Sequence, residues 1–550
     1  MSIKSKRRFS ITIAADNPTF VQDEEDNELP EDNTPNKQDP NGISSIINHK
    51  PPKIESNGKI DQTYIDSRLK KLNRNLWKKL ILTSIAVLGV MSMYDMLRFL
   101  ESSINSNSGL GTIALATTYA TMIPSLLFAP SLVIKKLGLK STLILAILLF
   151  NTFFAAHYYP TFFTMIPAAM ITGFGCGLVE ITANCIVTEL AISYASANRL
   201  TVVSVINRFF SVYVMTTYTG KIWGNLISAF LLDDPSITQK ITEAQLEICG
   251  AGYCQEPLGD QFQSDKNHSF ISAWNITFNE TSLWNSTTNQ SLPQHEETNT
   301  LDEKSIIMFA VCSACSIIMA LLIIFGFDKR PIKPRRGSVI NQPISAHLLS
   351  TFKLLKDPNM FLLIPLTVTL GLSDSFISGD YTQAFITCSL GMHQIGLIMV
   401  CYGITASLSS CLAGWLSNYL GRSTLLVTAM TIDLCTYSSL LFWHPDPSMM
   451  IIYYVYSGLG GLTDGIWKTQ IYALYGDIFR RKAEAGFANL EIWQATGFVC
   501  GYAWHSELCM DIKLYIILTI IVVGMAGYGI VAVRQRQAAK QENEENDTRF

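Results

Sequence analysis

Apolar stretches of about 20 residues, the length that crosses a lipid bilayer, recur along most of this 550-residue chain. They lie at about 80–99, 112–133, 141–159, 161–190, 201–232, 305–327, 360–382, 393–417, 423–443, 449–475, 484–504 and 513–533. Inside a bilayer, a single segment satisfies all of its backbone hydrogen bonds only as a helix. The sequence therefore predicts an all-α polytopic membrane protein with twelve transmembrane helices.

Composition supports a membrane protein and argues against several other classes. Only 15% of the residues are charged, against ~25% in soluble proteins, and 48% are hydrophobic. The formal net charge of -3 gives no excess of positive charge for binding nucleic acid. We find no nucleotide-binding loop, metal-ligand cluster or catalytic triad at usable spacing, so we expect no enzyme activity, no metal and no cofactor.

Polar segments divide the chain into regions. We predict a disordered cytosolic tail at 1–76, membrane helices one to five at 77–232, an extracellular loop at 233–304, helix six at 305–327, a cytosolic central loop at 328–359, helices seven to twelve at 360–533 and a cytosolic tail at 534–550. The first residues are basic and polar, so no signal peptide is expected.

Lysine and arginine accumulate on the cytoplasmic side of membrane proteins, and here they favour cytosolic termini. On that predicted side lie Arg68, Lys70, Lys71, Arg74, Lys78, Lys79, Lys135, Lys136, Lys140, Arg199, Lys329, Arg330, Lys333, Arg335, Arg336, Arg422, Arg480, Arg481, Lys482, Arg534 and Arg536. The short loops of the opposite side have none, although Lys513 at the start of helix twelve is an exception.

The long loop 233–304 carries the marks of an extracellular segment. Five glycosylation sequons cluster in it, at Asn267, Asn275, Asn279, Asn285 and Asn289. In the same loop, Cys249 and Cys254 form either a disulfide with each other or two free thiols.

The two predicted six-helix halves share short motifs at a spacing near 283–285 residues. The string that begins Lys136-Leu-Gly138 is echoed by Tyr419-Leu-Gly421, and Gly173-Phe-Gly-Cys-Gly177 is echoed by Gly458-Leu-Gly-Gly461. Two repeated six-helix halves are typical of the major-facilitator architecture.

Ionisable residues at membrane depth are costly and mark candidate sites. Glu180, Asp374, Asp464 and Lys468 are the candidates for a cavity or an ion-binding site. Asp464 and Lys468 are four residues apart, as Asp95 and Arg98 are three apart, so self-neutralised structural pairs are the alternative. Glu180, Asp374 and Asp433 have no obvious cation within their own helices, which suits a proton relay. The alternative is that Arg208, Lys221 or a hydroxyl group on a neighbouring helix supplies a partner.

The loop after helix two departs from the transporter pattern. Major-facilitator transporters usually have Gly-x-x-x-Asp-Arg-x-Gly-Arg-Lys there, whose charges change partners during alternating access. With Gly138 aligned, Lys135 takes the place of the acid, and Asn418 takes it in the second copy. This loss argues against ordinary transport without excluding it.

Several strings resemble the uncoordinated-93 family over about residues 77–533. They are Gly109-Leu-Gly-Thr-Ile-Ala, Trp223-Gly-Asn-Leu-Ile-Ser, Leu354-Leu-Lys-Asp-Pro-Asn, Phe376-Ile-Ser-Gly-Asp-Tyr-Thr382 and Cys388 to Gly391. The resemblance implies a major-facilitator fold with a largely non-transport role. One branch regulates a two-pore-domain potassium channel, and another escorts Toll-like receptors to endosomes. The short tail after Val533 favours the first branch, which is homolog-A-like.

These observations lead to one hypothesis with two rivals. The hypothesis is a plasma-membrane protein, in contact with the bilayer, that regulates a potassium channel. A proton- or ion-coupled carrier of an unspecified solute and a trafficking chaperone in endosomal membranes are the rivals. Ser10 and Ser338 follow paired arginines and are candidate phosphorylation sites, although basic residues beside a membrane explain the same pattern.

Overall fold

A computed structural model describes the larger part of the chain. The described residues are 62–105, 109–200, 202–232, 246, 248–254, 303–327, 349, 351–479, 483–505 and 507–547. Several predictions lie outside them: the phosphorylation sites Ser10 and Ser338, and the sequons at Asn267, Asn275, Asn279, Asn285 and Asn289.

The described chain is helical. The first group consists of α1 (Gln62–Ile104), α2 (Leu110–Ala129), α3 (Lys135–Ala156), α4 (Phe162–Asn198), α5 (Val202–Tyr218), α6 (Gly220–Leu232) and α7 (Glu303–Gly326). The second consists of α8 (Pro358–Ser375), α9 (Ile395–Leu420), α10 (Arg422–Phe442), α11 (Met450–Ile478), α12 (Ala483–Ala503) and α13 (Met510–Asp547). A π-helical segment, Phe376–Thr387, continues α8. We call α1–α7 the first half and α8–α13 the second half.

The first helix begins earlier than predicted. The disordered tail was expected to reach residue 76, but α1 begins at Gln62. Leu76 is buried, and Leu69 and Leu72 are half-buried on the same side of the helix. This apolar face packs on the bundle and stabilises helical turns that are otherwise too polar to enter a membrane.

Local signals set other boundaries as the sequence indicates. Asp357 precedes α8, and its carboxylate accepts a hydrogen bond from the Asn359 N–H at 2.9 Å. Pro358 then occupies the first turn, where a missing N–H costs nothing. At the start of α4, Thr161 and Thr164 form a reciprocal capping box.

Eight of the described helices are long and apolar enough to cross a membrane. The spans are 66–104, 110–128, 162–198, 304–326, 358–390, 392–417, 422–442 and 510–537. The count of twelve is not confirmed. The predicted fifth span is broken between Tyr218 and Gly220, and α11 carries Asp464 and Lys468 within its apolar sequence.

Glycines of the repeated motifs allow close packing of helices in both halves. Gly173 of α4 lies against the backbone of Thr118 in α2, and Gly461 of α11 lies against that of Tyr402 in α9. A side chain at either position would overlap the neighbouring carbonyl, so these glycines serve helix contact.

The shared loop motif also has a shared backbone shape. Gly138 has φ 76° and Gly421 has φ 79°, a left-handed conformation that favours glycine.

The two halves meet along α2 with α12 and along α6 with α9. The centre of this interface holds the charged residues described next.

Candidate functional site

Six ionisable side chains form one cluster in the middle of the helix bundle. Asp95 and Arg98 come from α1, Lys221 from α6, Asp374 from α8, and Asp464 and Lys468 from α11. We call these six residues the central cluster. Three are carboxylates and three are cations, so the formal charge of the cluster is zero.

Asp374 is the hub of the central cluster. One of its oxygens lies 3.4 Å from Arg98 Nη1 and 3.6 Å from Lys221 Nζ. The other lies 3.3 Å from Lys468 Nζ. The Asp374 side chain is only 4% exposed, and the Arg98 side chain only 2%. A carboxylate so deeply buried is stable in its charged form only with such partners.

The remaining contacts close the network. Arg98 lies 3.1 Å from Asp95, one turn earlier in its own helix. Asp464 lies 3.2 Å from Lys221 and 3.3 Å from Lys468. The intrahelical pairs that the sequence suggested are therefore present, but each is also joined to a carboxylate or a cation of the other half.

Aromatic rings enclose the cations on their remaining sides. Lys221 Nζ lies 4.7 Å from the centre of the Tyr402 ring, and Arg98 Cζ lies 5.2 Å from the centre of the Phe99 ring. Such contacts partly replace the lost hydration of a buried cation. Together with the ion pairs, they make the central cluster a bridge between the two halves.

The space beside the cluster is small. It is lined by polar and apolar residues of the second half, among them Ser373, Asp433, Thr463 and Asp464. There is room for about one or two water molecules. This cavity, which lies within the second half, is too small for a sugar or a nucleoside.

Of the predicted candidates, Asp374, Asp464 and Lys468 are joined by ion pairs, and Glu180 lies beside them without joining these pairs. Glu180, on α4, lies close enough to Glu491 of α12 for their charges to interact. Glu491 accepts a hydrogen bond from Tyr472 Oη at 2.6 Å. Within the described parts of the chain, Glu180 forms no ion pair.

Asp433, the other candidate proton carrier, has a fixed neighbour. Its carboxylate accepts a hydrogen bond from the indole N–H of Trp467 at 2.6 Å. This neutral donor holds the carboxyl group in place without neutralising its charge.

A second charged group lies near one end of the bundle, and it was missed in the sequence. Asp380 lies 2.7 Å from Lys513 Nζ, and both side chains are almost completely buried. His505 Nδ1 lies 2.6 Å from the same carboxylate oxygen, in a close contact that is not aligned as a hydrogen bond. The other ring nitrogen of His505 contacts Gln383 Oε1 at 2.5 Å. Lys513, the exception to the charge distribution, is thus a partner of Asp380.

Two disulfides fasten a loop over this end, and they correct a prediction. Cys249 is bonded to Cys388, and Cys254 is bonded to Cys509. A bridge between Cys249 and Cys254 is therefore wrong. The 3₁₀ turn Gly250–Gly252 separates the two cysteines and directs them to different helix ends.

We call residues 248–254, with Cys388 and Cys509, the disulfide clasp. The Tyr253 carbonyl also accepts a hydrogen bond from the Met510 N–H at 3.0 Å. Burial raises the pKa of the Tyr253 phenol above its ordinary value, so this side chain stays neutral. The clasp is therefore an ordered, packed part of this end of the helix bundle.

The same end of the first half contains another unpredicted pair. His157 Nε2 lies 2.7 Å from Glu101 Oε2, and both side chains are fully buried. Asn105 donates to the other oxygen of Glu101 at 2.8 Å. The sequence contains a signal for this pair, because Glu101 follows Asp95 by six residues just as Asp380 follows Asp374 by six.

The matched part of a protein-family model covers most of these features. The model, described as "Ion channel regulatory protein UNC-93", matches residues 101–528. The chain belongs to the UNC-93 family. The predicted resemblance is confirmed, and the matched range contains Asp374, Asp464 and Lys468 of the central cluster, the group around Asp380 and the clasp.

Individual relatives agree with this membership. Protein unc-93 homolog A of Bos taurus is 31% identical over 465 residues, which covers 84% of this chain and 94% of the relative. The protein of Caenorhabditis elegans named "Putative potassium channel regulatory protein unc-93" is 27% identical over 467 residues. That alignment covers 84% of this chain and 61% of the worm protein.

Solved structures identify the fold. The crystal structure of the nucleoside transporter NupG superimposes with a TM-score of 0.53 over 83% of this chain and 99% of the transporter. The sequence identity is 11%, so the likeness concerns the fold alone. This UNC-93 family chain is an all-helical multipass membrane protein with a fold like that of major-facilitator transporters.

Proposed function

We propose that this protein is a regulatory subunit of a two-pore-domain potassium channel in the plasma membrane. Its family is described as one of ion channel regulators, and the worm relative is named for a potassium channel. In this proposal the major-facilitator fold neither transports a solute nor catalyses a reaction.

The proposal includes a membrane topology. Twelve helical segments form two six-helix halves, with α5 and α6 as one interrupted span, and both termini lie in the cytosol. The positive charges near the start of α1 and the disulfides at the opposite end support this orientation, because disulfides persist on the oxidising side of a membrane.

The central cluster is the observation that carries the proposal. A carrier of this fold holds its substrate between the two halves. Here Arg98 and Lys221 of the first half are paired directly with Asp374 and Asp464 of the second. The side chains that line this part of the interface neutralise one another, which supports a structural role.

A regulator of this kind acts by binding one state of the channel more tightly than another. A difference of about 1 kcal/mol in affinity changes the ratio of the two states about fivefold. Helices that face lipid, such as α9 and α13, offer apolar surface for such contacts.

The direct test is to record potassium current from a two-pore-domain channel expressed alone and with this chain. A voltage-gated potassium channel serves as the control for non-specific effects on expression. We expect a severalfold change in the two-pore-domain current at equal surface amounts of channel. Equal currents with and without the chain, in every two-pore-domain channel tried, would refute the proposal.

A carrier is the second candidate, and Glu180 favours it. Two carboxylates, Glu180 and Glu491, face each other across the halves without an ion pair from the described residues. The test is uptake of a labelled nucleoside and a labelled sugar by vesicles that contain the purified chain, under an imposed proton gradient. Uptake that Glu180→Gln abolishes would support a carrier and contradict a purely regulatory role.

A further inference from the structure

The part of α1 that precedes the apolar sequence carries a row of cations on one face. Lys70, Lys71, Arg74 and Lys78 are all exposed. Each residue of a helix advances about 100° around the axis, so these four lie within roughly one quarter to one third of the circumference. We call them the basic stripe.

The basic stripe continues directly into lipid-facing surface. Ile81 is 47% exposed and Ile85 is 37% exposed, and both follow the row of Arg74 and Lys78 at helical spacing. In a membrane protein, exposed isoleucines at the start of a span face acyl chains. Lys78 lies about 4.5 Å and Arg74 about 10 Å along the axis from Ile81, which is the depth of lipid headgroups.

Buried Leu76 lies on the face of α1 opposite the stripe, and residues on one flank of the stripe also pack on the bundle. Asn73 exchanges hydrogen bonds of 2.8 and 2.9 Å with Asn198 at the end of α4. Trp77 packs on Phe209 of α5, with 4.9 Å between the ring centres. Because the bundle holds both the opposite face and this flank of α1, the cations point away from it, toward the surrounding membrane surface.

The local charge balance is strongly positive. In the described part of α1, Asp66 is the single acid before Asp95. Arg208 adds a further exposed cation at the edge of the stripe, where its guanidinium lies 5.4 Å from the centre of the Trp77 ring. The long side chains reach several ångströms, so neighbouring members can approach one polyvalent anion together.

We propose that the basic stripe binds the headgroup of a phosphoinositide, a membrane lipid with several phosphate groups. One such headgroup neutralises several cations in a row, whereas a lipid with a single negative charge leaves most of them unpaired. The isoleucines beside the stripe contact the acyl chains of the same lipid. This inference does not depend on a channel partner.

The test uses the purified full-length chain in detergent and a short-chain phosphatidylinositol bisphosphate as the probe. The variant is Arg74→Gln with Lys78→Gln. Its matched control is Lys135→Gln with Lys136→Gln, which removes two exposed cations from the start of α3. Native mass spectrometry and the lipid-induced rise in melting temperature measure binding.

We expect the stripe variant to weaken binding by at least about tenfold and the control to change it by less than about twofold. Arg74→Lys with Lys78→Arg keeps both charges and should retain binding. Equal melting temperatures without lipid show that the variants are folded. An unchanged affinity of the stripe variant, or an equal loss in the control, overturns the proposal.

Two further probes identify the ligand. Short-chain phosphatidylserine should bind at least about tenfold more weakly than the phosphoinositide. Free inositol trisphosphate should also bind more weakly, because it lacks the acyl chains that Ile81 and Ile85 contact. If the free headgroup binds as tightly as the lipid, the stripe is a site for a soluble polyphosphate, and the assignment to a lipid is wrong.

Discussion

Asp374 and Asp380 lie six residues apart on one continuous helical segment, yet they are neutralised in different ways. Asp374 contacts cations from both halves, Arg98 and Lys221 of the first and Lys468 of the second. Among the described residues, the ion-pair partners of Asp380 are His505 and Lys513, both of its own half. The first carboxylate therefore links the halves, whereas the second is part of one half.

This difference indicates which contacts would break if the two halves moved apart. A movement between them must break the contacts of Asp374 with Arg98 and Lys221, and it would leave charges unpaired in a medium of low dielectric constant. Asp380 keeps its contacts in the same movement. The clasp adds covalent bonds to Cys388 and Cys509, so the end that contains Asp380 has support that the centre lacks.

The largest effect is expected for Asp374→Asn, which tests whether Asp374 stabilises the protein more than Asp380 does. The amide keeps the shape but leaves the cations with too little negative charge, so we expect a loss of about 3–5 kcal/mol in stability. Surface expression and the melting temperature in detergent measure it. Asp380→Asn should cost less, since the disulfide clasp holds that end. An equal loss in both variants would remove the distinction between the two places.

A compensating change provides the control for Asp374→Asn. The addition of Lys221→Met removes one cation and restores the formal neutrality of the central cluster. We expect this double variant to recover part of the lost surface expression. No recovery would mean that the shape of the hub, rather than its charge balance, determines stability.

The second prediction weakens the clasp instead of the centre. Cys388→Ser should free Cys249, and the loss of one long loop closure should cost about 2–4 kcal/mol. A membrane-impermeant maleimide applied to intact cells should then label Cys249, and peptide mapping without reductant should show the Cys254–Cys509 pair alone. A peptide in which Cys249 is joined to Cys254 in the wild type would contradict the clasp.

The third prediction concerns Asp464 and Lys468, each of which has two partners. Either single change, Asp464→Asn or Lys468→Met, leaves one charge uncompensated. We expect a loss of about 1–3 kcal/mol in stability, smaller than for Asp374→Asn, with a corresponding fall in surface expression. The double variant keeps two cations and two carboxylates and should recover much of this loss. If it expresses well but no longer regulates current, the pair acts in function rather than in folding.

The sequence predicted the fold class, the family and the members of the central cluster on α8 and α11. Each of those features depends on local signals, such as apolar length, a short motif or a spacing of four residues. Lys221 was considered only as a partner from a neighbouring helix, and Arg98 only as a partner of Asp95. Their contacts with Asp374 join distant parts of the chain, which periodicity within one helix does not reveal.

The clasp and the group around Asp380 were missed for the same reason. Cys249 and Cys254 are close in sequence, and that proximity favoured the wrong bridge. Their partners, Cys388 and Cys509, lie between predicted membrane segments and are 139 and 255 residues away in sequence, so no local pattern pointed to these pairings. Lys513 did not fit the distribution of positive charge along the loops. Its position is explained by the buried carboxylate of Asp380 on another helix.

The smallest effect is expected for Lys135→Asp, which asks whether the end opposite the clasp contributes to the link between the halves. Lys135 is exposed at the start of α3. In the second copy of this loop, Arg422 forms an ion pair with Asp477 at the end of α11. Both partners of that pair belong to the second half, so it does not bridge the halves as Asp374 does.

Restoring the acid of the transporter pattern at Lys135 should therefore change potassium-current regulation by less than about twofold, because exposed single charges contribute little. Lys135→Gln is the control that removes the cation without adding an acid. In a carrier, the loop charges control alternating access, and Lys135→Asp would alter solute flux in vesicles. A solute flux that responds to Lys135→Asp would mean that the loop, as well as Asp374, controls the contact between the halves. The protein would then be a carrier, with or without a regulatory role.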